Sequence, residues 1–214
     1  MGVYRCALQY YDRAIQVDPN FAIPYFNRGV VYGQQGQFQL ALIEYSRAIA
    51  LDSTDADFFT NRALVHYNLA QYDLSEADNL RAITLDAKNY KAYNNLGNCQ
   101  RELKNYERAL VYYSKVIELN PKCEMGYNNR GNIYYDLCDF RRAIRDYSQS
   151  IDMDQSYVKG YSNRSLALFR LGYHVAALSD VYLAVHLAPS NMVYRSNRDG
   201  FMVHITRRSK DNHM

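Results

Sequence analysis

An asparagine recurs at 34-residue steps along this chain: Asn27, Asn61, Asn95, Asn129 and Asn163, with Asn197 continuing the series. A primary amide carries two donors and an acceptor. A row of amides can therefore meet both the N–H and the C=O of an extended peptide without reading its side chains. The next position in each step is Arg28, Arg62, Leu96, Arg130 and Arg164, and sixteen residues later stand Glu44, Asp78, Tyr112, Asp146 and Asp180. Where the first site is arginine the second is acidic; where it is leucine the second is tyrosine. This pattern predicts four ion pairs, Arg28–Glu44, Arg62–Asp78, Arg130–Asp146 and Arg164–Asp180, partly buried between two helices. Such a pair adds little net stability against its desolvation but is costly to break.

Other chemistry is poorly represented. The histidines His66, His174, His186, His204 and His213 have no metal-ligand spacing, and no glycine-rich phosphate loop is present. The expectation is no catalysis, no metal and no cofactor. Cys6, Cys99, Cys123 and Cys138 form neither a CxxC pair nor a disulfide-like framework, which suits buried thiols in a reducing, cytoplasmic setting. A net charge of +3 is too small to argue for nucleic acid or an anionic membrane, neither of which is expected as a partner, and the one dense basic run is Arg207, Arg208 and Lys210. No apolar run approaches the roughly 18 residues of a membrane span, and MGVYRCALQYYDR has no signal-peptide apolar region.

The elements that carry these residues follow from the period. Pro19, Pro121 and Pro189 are separated by whole multiples of 34, and Ser53, Ala87 and Gln155 fill the intervening steps. A repeat of this length signals a solenoid. Full units are expected at 22–55, 56–89, 90–123, 124–157 and 158–191, after a partial repeat at 1–21 and before a capping helix and basic tail at 192–214. Small residues recur at Ala7, Ala41, Ser75, Ala109, Ala143 and Ala177, and again at Ala14, Ala48, Ala82, Val116, Ser150 and Ala184. Aromatics recur at Tyr25, Phe59, Tyr93, Tyr127 and Tyr161. The apolar spacing is helical, interrupted in mid-unit by GQ, KN or CD, so each unit reads as two antiparallel helices, A and B.

The segments AYNNLGNCQ and ALVYYSKVIELNP carry most of the tetratricopeptide repeat pattern: an aromatic, Leu-Gly, an Ala followed by an aromatic, and a late Pro. The chain resembles that family from residue 1 to about 200. It departs in using Tyr or Phe for Trp, Asn79 where Tyr45 and Tyr113 stand, and His174 for an aromatic. The resemblance implies an all-α, right-handed superhelical solenoid of antiparallel helix pairs. One face of each helix A would line a concave groove, and the function implied is an adaptor that binds a protein or peptide segment.

On that face the asparagines concentrate in the third and fourth full units as Asn94, Asn95, Asn98, Asn128, Asn129 and Asn132, flanked by Asn61 and Asn163. In the window YNNRGNIYY, Arg130 is expected to be braced inward while Asn128, Asn129 and Asn132 face the groove. The cations Lys91, Arg101, Lys159 and Arg170 share the face, opposed by Glu102 and Asp136, and Tyr135 and Phe169 are placed to stack on a bound side chain. The expected ligand is an extended segment with some acidic groups. The opposing reading is that each asparagine bonds a neighbouring helix and only orders the stack. A carboxylate clamp for the tails of Hsp70 and Hsp90 chaperones, on Asn94, Asn98, Asn129, Lys159 and Asn163, would lack two of its cations. A structural spacer, or a fragment of a larger scaffold, is a further alternative. Met1 falls in mid-unit, so the first helix is an unpaired helix B, an edge open to homo-association.

Overall fold

The computed structural model describes residues 2–211, with side chains from Tyr4 to Thr206. Twelve helices joined by short turns make up the described residues, and no strand is present among them. They are α1 (Gly2–Val17), α2 (Ala22–Gln34), α3 (Phe38–Leu51), α4 (Ala56–Asn68), α5 (Tyr72–Leu85), α6 (Tyr90–Glu102), α7 (Tyr106–Leu119), α8 (Glu124–Asp136), α9 (Phe140–Met153), α10 (Val158–Arg170), α11 (His174–Leu187) and α12 (Met192–Asp211). From α2 onward, both the first and the second helices of successive pairs start 34 residues apart. The chain divides within α7, after Arg108, into two compact units.

Each first helix stops in the same way. Gly36, Ala70, Lys104, Cys138 and Gly172 all adopt positive φ, between 56° and 83°. The residue after each donates its N–H back into the helix, as Gln37 does to the Tyr32 carbonyl at 2.9 Å and Asp139 to the Tyr134 carbonyl at 2.8 Å. This left-handed cap satisfies carbonyls that the helix end leaves open. Only Gly36 and Gly172 adopt it without a Cβ penalty. Second helices other than α11, whose C-cap is Ala188, stop on an acidic or amide side chain that accepts from the N–H two residues on: Asp52 from Thr54 at 2.8 Å, Asp86 from Lys88 at 2.9 Å and Asp154 from Ser156 at 2.8 Å. The same turn forms at Asp18 and Asn120.

Small residues set how closely the helices of a pair approach. In the first unit Ala41, Ala48, Ser75 and Ala82 are fully buried, and in the second Ala143, Ser150, Ala177 and Ala184. A Cβ at Gly29 would stand 2.8 Å from Tyr45 Cε1, and one at Gly131 would stand 2.7 Å from Tyr147 Cε1. Glycine is required there because the tyrosine ring of the second helix lies against the backbone of the first. Where the second-helix residue is the smaller Asn79 or Val181, the first helix carries Ala63 or Ser165.

At the end of the chain α12 is held by Phe201, buried with Ala177 and Val181. The backbone of α12 is helical from Met192 to Asp211. The side chains of Arg207, Arg208 and Lys210, and residues 212–214 including His213, lie outside the described part.

Candidate interaction site

Four arginines on the first helices grip the second helices, three of them through the same two-armed geometry. Arg130 Nε and Nη2 donate to the two carboxylate oxygens of Asp146 at 2.7 and 2.9 Å. Arg164 does the same to Asp180 at 2.7 and 2.9 Å, and Arg62 to Asp78 at 2.7 Å on both arms. Arg28 reaches both oxygens of Glu44 through Nη2, at 2.9 and 2.8 Å. All four carboxylate residues are buried. The bond to Asp146 raises the pKa of Arg130, against the opposing pull of desolvation, and the bond to Asp180 does so for Arg164.

Each arginine also reaches a third helix, which the sequence reading missed. Nη1 of Arg62 donates to Ser46 at 3.1 Å, that of Arg130 to Ser114 at 3.3 Å, and that of Arg164 to Ser148 at 3.0 Å. Arg28 Nη1 meets Asp12 at 2.6 Å. The partner always stands sixteen residues before the arginine, as the acid stands sixteen after. The signal was present: in the step where arginine becomes Leu96, the residue sixteen before is Leu80.

In the first unit the asparagines close on themselves. Asn95, expected to face outward, is buried, with Nδ2 3.3 Å from Asn79 Oδ1 and 3.5 Å from the Thr60 carbonyl. Asn79 donates to the Ser75 carbonyl at 2.8 Å, and Ser75 Oγ to the Ala63 carbonyl at 2.8 Å. The Cys99 thiol joins Ser75 Oγ at 3.2 Å, and burial pushes its pKa up. Asn89 caps α6 through Ala92 N–H at 3.0 Å and donates to Thr60 Oγ1 at 3.0 Å. Ser75 and Asn79 thus replace the usual alanine and tyrosine as a satisfied polar layer, which a buried site requires. Asn61 donates to its own helix, at the Asp57 carbonyl, 2.9 Å away.

The second unit repeats the theme with different residues. Asn163 Nδ2 donates to Asn128 Oδ1 at 2.9 Å and to Asn132 Oδ1 at 3.0 Å. The Tyr147 hydroxyl donates to the same Asn132 oxygen at 3.0 Å, and Asn128 Nδ2 lies 3.4 Å from Asn129 Oδ1. Asn128, expected in the groove, is buried. Its amide and those of Asn132 and Asn163 bind α10 to α8. Asn94, Asn98 and Asn129 are half-buried.

The cations are placed differently. Lys91 on α6, and Lys159 and Arg170 on α10, are exposed, while Arg101 is half-buried. The Arg170 guanidinium lies 5.5 Å from the Phe140 ring centre. Phe169, expected to stack on a ligand, is instead stacked on Phe201 with ring centres 4.1 Å apart. Half-buried Tyr135 packs edge-on against Phe140 at 5.3 Å. Among the described residues no three or more His, Cys, Asp or Glu gather as metal ligands, and no helix is long and apolar enough to cross a membrane.

The profile of the tetratricopeptide repeat matches residues 90–123 and 125–157, and a second profile of the same repeat matches 1–36 and 31–69. Together they take in more than half of the chain, which belongs to the tetratricopeptide repeat family. Curated proteins yield no sequence match. Among solved structures the fold is similar to a chain in the APC/C hetero-tetramer Cut9–Hcn1, with TM-score 0.84 and 15% identity. That alignment covers 94% of this chain but spans only 40% of the other. YrrB, a repeat protein with an unusual peptide-binding site, aligns at TM-score 0.62 and 20% identity over 88% of this chain and 97% of its own. The thermophilic repeat protein TTC0263 of Thermus thermophilus aligns at TM-score 0.72 and 16% identity over 85% and 99%. The family is one of protein-interaction scaffolds.

Proposed function

We propose that this chain is a non-catalytic adaptor that binds an extended, acidic protein segment. The observation that carries the reading is the pair Lys159 and Arg170, both exposed on α10. They stand eleven residues apart, which is about three helical turns, so they share one face some 16 Å long. An extended segment of about five residues spans that length, and carboxylates at its ends would meet an ammonium and a guanidinium. Half-buried Asn129, on the adjoining first helix α8, is the amide this reading assigns to the segment's backbone. Lys91, with Asn94 and Asn98 beside it on α6, offers a comparable surface in the first unit. The peptide-binding site named for YrrB is a property of that protein and lends support by fold alone.

A second reading, that the asparagines order the stack, is favoured by the bonds from Asn163 to Asn128 and Asn132. The two readings assign different residues and are compatible: amide clusters hold helices, and cations hold ligand. Affinity capture with wild type and a Lys159→Glu/Arg170→Glu variant of unchanged circular dichroism tests the first. Loss of captured proteins supports it, and an unchanged set rejects it.

A further inference from the structure

His174 opens α11 and His204 lies on α12, and their ring centres are 5.5 Å apart with planes inclined at 52°. Both rings abut one aromatic side chain: Phe169 meets His174 edge-on at 4.9 Å and His204 at 5.1 Å. Phe169 is itself stacked on Phe201, so both imidazoles pack on one aromatic pair. At the same register elsewhere in this unit the pair is Phe140 and Arg170, a ring under a cation. Two imidazoles in that place are a departure that the adaptor reading does not use.

We propose that His174 and His204 form a two-imidazole site for a late first-row divalent metal ion such as zinc. A zinc–nitrogen bond of about 2.0–2.1 Å puts the ion about 3.2 Å from a ring centre. Two rings on one tetrahedral ion then stand about 5.2 Å apart, against the 5.5 Å observed. Imidazole is a favoured ligand for zinc, copper and nickel. Water completes the coordination, since no third His, Cys, Asp or Glu joins the pair among the described residues. Because the ligands come from two helices, the bound ion ties α12 to the start of α11. Both rings already pack against Phe169 at close to that separation, which lowers the ordering cost of binding.

Isothermal titration of metal-stripped protein with zinc chloride tests the proposal, using the full chain and the variants His204→Ala and His66→Ala. His204 is exposed, so its replacement leaves the core intact. The expected result is one zinc per chain for wild type and for His66→Ala, lost in His204→Ala. Zinc should also slow amide exchange along α12 in wild type and leave His204→Ala unchanged. Zinc bound equally by His204→Ala, or no zinc bound by wild type, overturns the assignment.

Discussion

Arg130 stands midway between its two partners, sixteen residues after Ser114 and sixteen before Asp146, and its guanidinium bonds both, at 3.3 Å and 2.7 Å. One side chain thereby joins α7, α8 and α9. The same three-helix clamp recurs at Arg62 and Arg164 with serine behind and aspartate ahead, and at Arg28 with Asp12 and Glu44.

Removing one member of the clamp leaves a buried charge without its partner. Arg130→Ala and Asp146→Ala should each lower unfolding stability by about 3 kcal/mol. Their double-mutant cycle should show a coupling of about 1 kcal/mol or more. The apolar step of the chain gives a sharper case: Ser114→Leu/Arg130→Leu/Asp146→Tyr copies Leu80, Leu96 and Tyr112. Urea denaturation should find this triple variant markedly more stable than Arg130→Leu alone.

The glycine opposite a tyrosine is fixed by space. Gly131→Ala puts a Cβ into the Tyr147 ring and should cost about 1–3 kcal/mol. In a Tyr147→Asn background, itself destabilised by loss of a buried ring, the added cost of Gly131→Ala should shrink, because the ring it strikes is gone. Thermal melts of the single and double variants read the difference.

Cys138 and Ala70 hold the left-handed turn that Gly36 and Gly172 occupy freely. Cys138→Gly and Ala70→Gly should each stabilise by about 0.5–1 kcal/mol, the relief of the Cβ clash less the entropy that glycine adds to the unfolded chain. A fall in the denaturation midpoint would count against the cap geometry.

Asp52 and Asp154 have pKa values lowered by bonds from the hydroxyl and backbone N–H of Thr54 and Ser156. A folded-state pKa below the unfolded value, ordinarily about 3.9, means the turn's contribution is present above that value. It is lost as pH falls through the lower, folded one. Carboxyl-carbon NMR titration should place both midpoints below the ordinary aspartate range, with amide protection at Thr54 and Ser156 lost over the same interval.

Much of this was readable from periodicity, and the failures share a cause. A period of 34 assigns phase, so it located the helices, the small residues and the arginine–acid pairs. Phase does not say which neighbour a side chain meets. Ser114 reads as an ordinary surface serine until Arg130 is seen reaching back to it. Asn95 and Asn128 have the phase of a groove, yet other amides lie close enough to satisfy them inside the stack. Phe169 has the phase of a ligand platform but is covered by Phe201, which follows in α12.

The adaptor account assigns stability and recognition to different side chains, and one comparison separates them. Asn163→Ala removes two bonds between α10 and α8 and should lower stability by about 1–2 kcal/mol. Lys159→Glu/Arg170→Glu should leave stability nearly unchanged. Affinity capture with mass spectrometry, run on both variants beside wild type below their melting temperatures, decides the matter. The account predicts that the amide variant keeps its partners and the charge variant loses them. The reverse, partners lost with Asn163 and kept without Lys159 and Arg170, would contradict it.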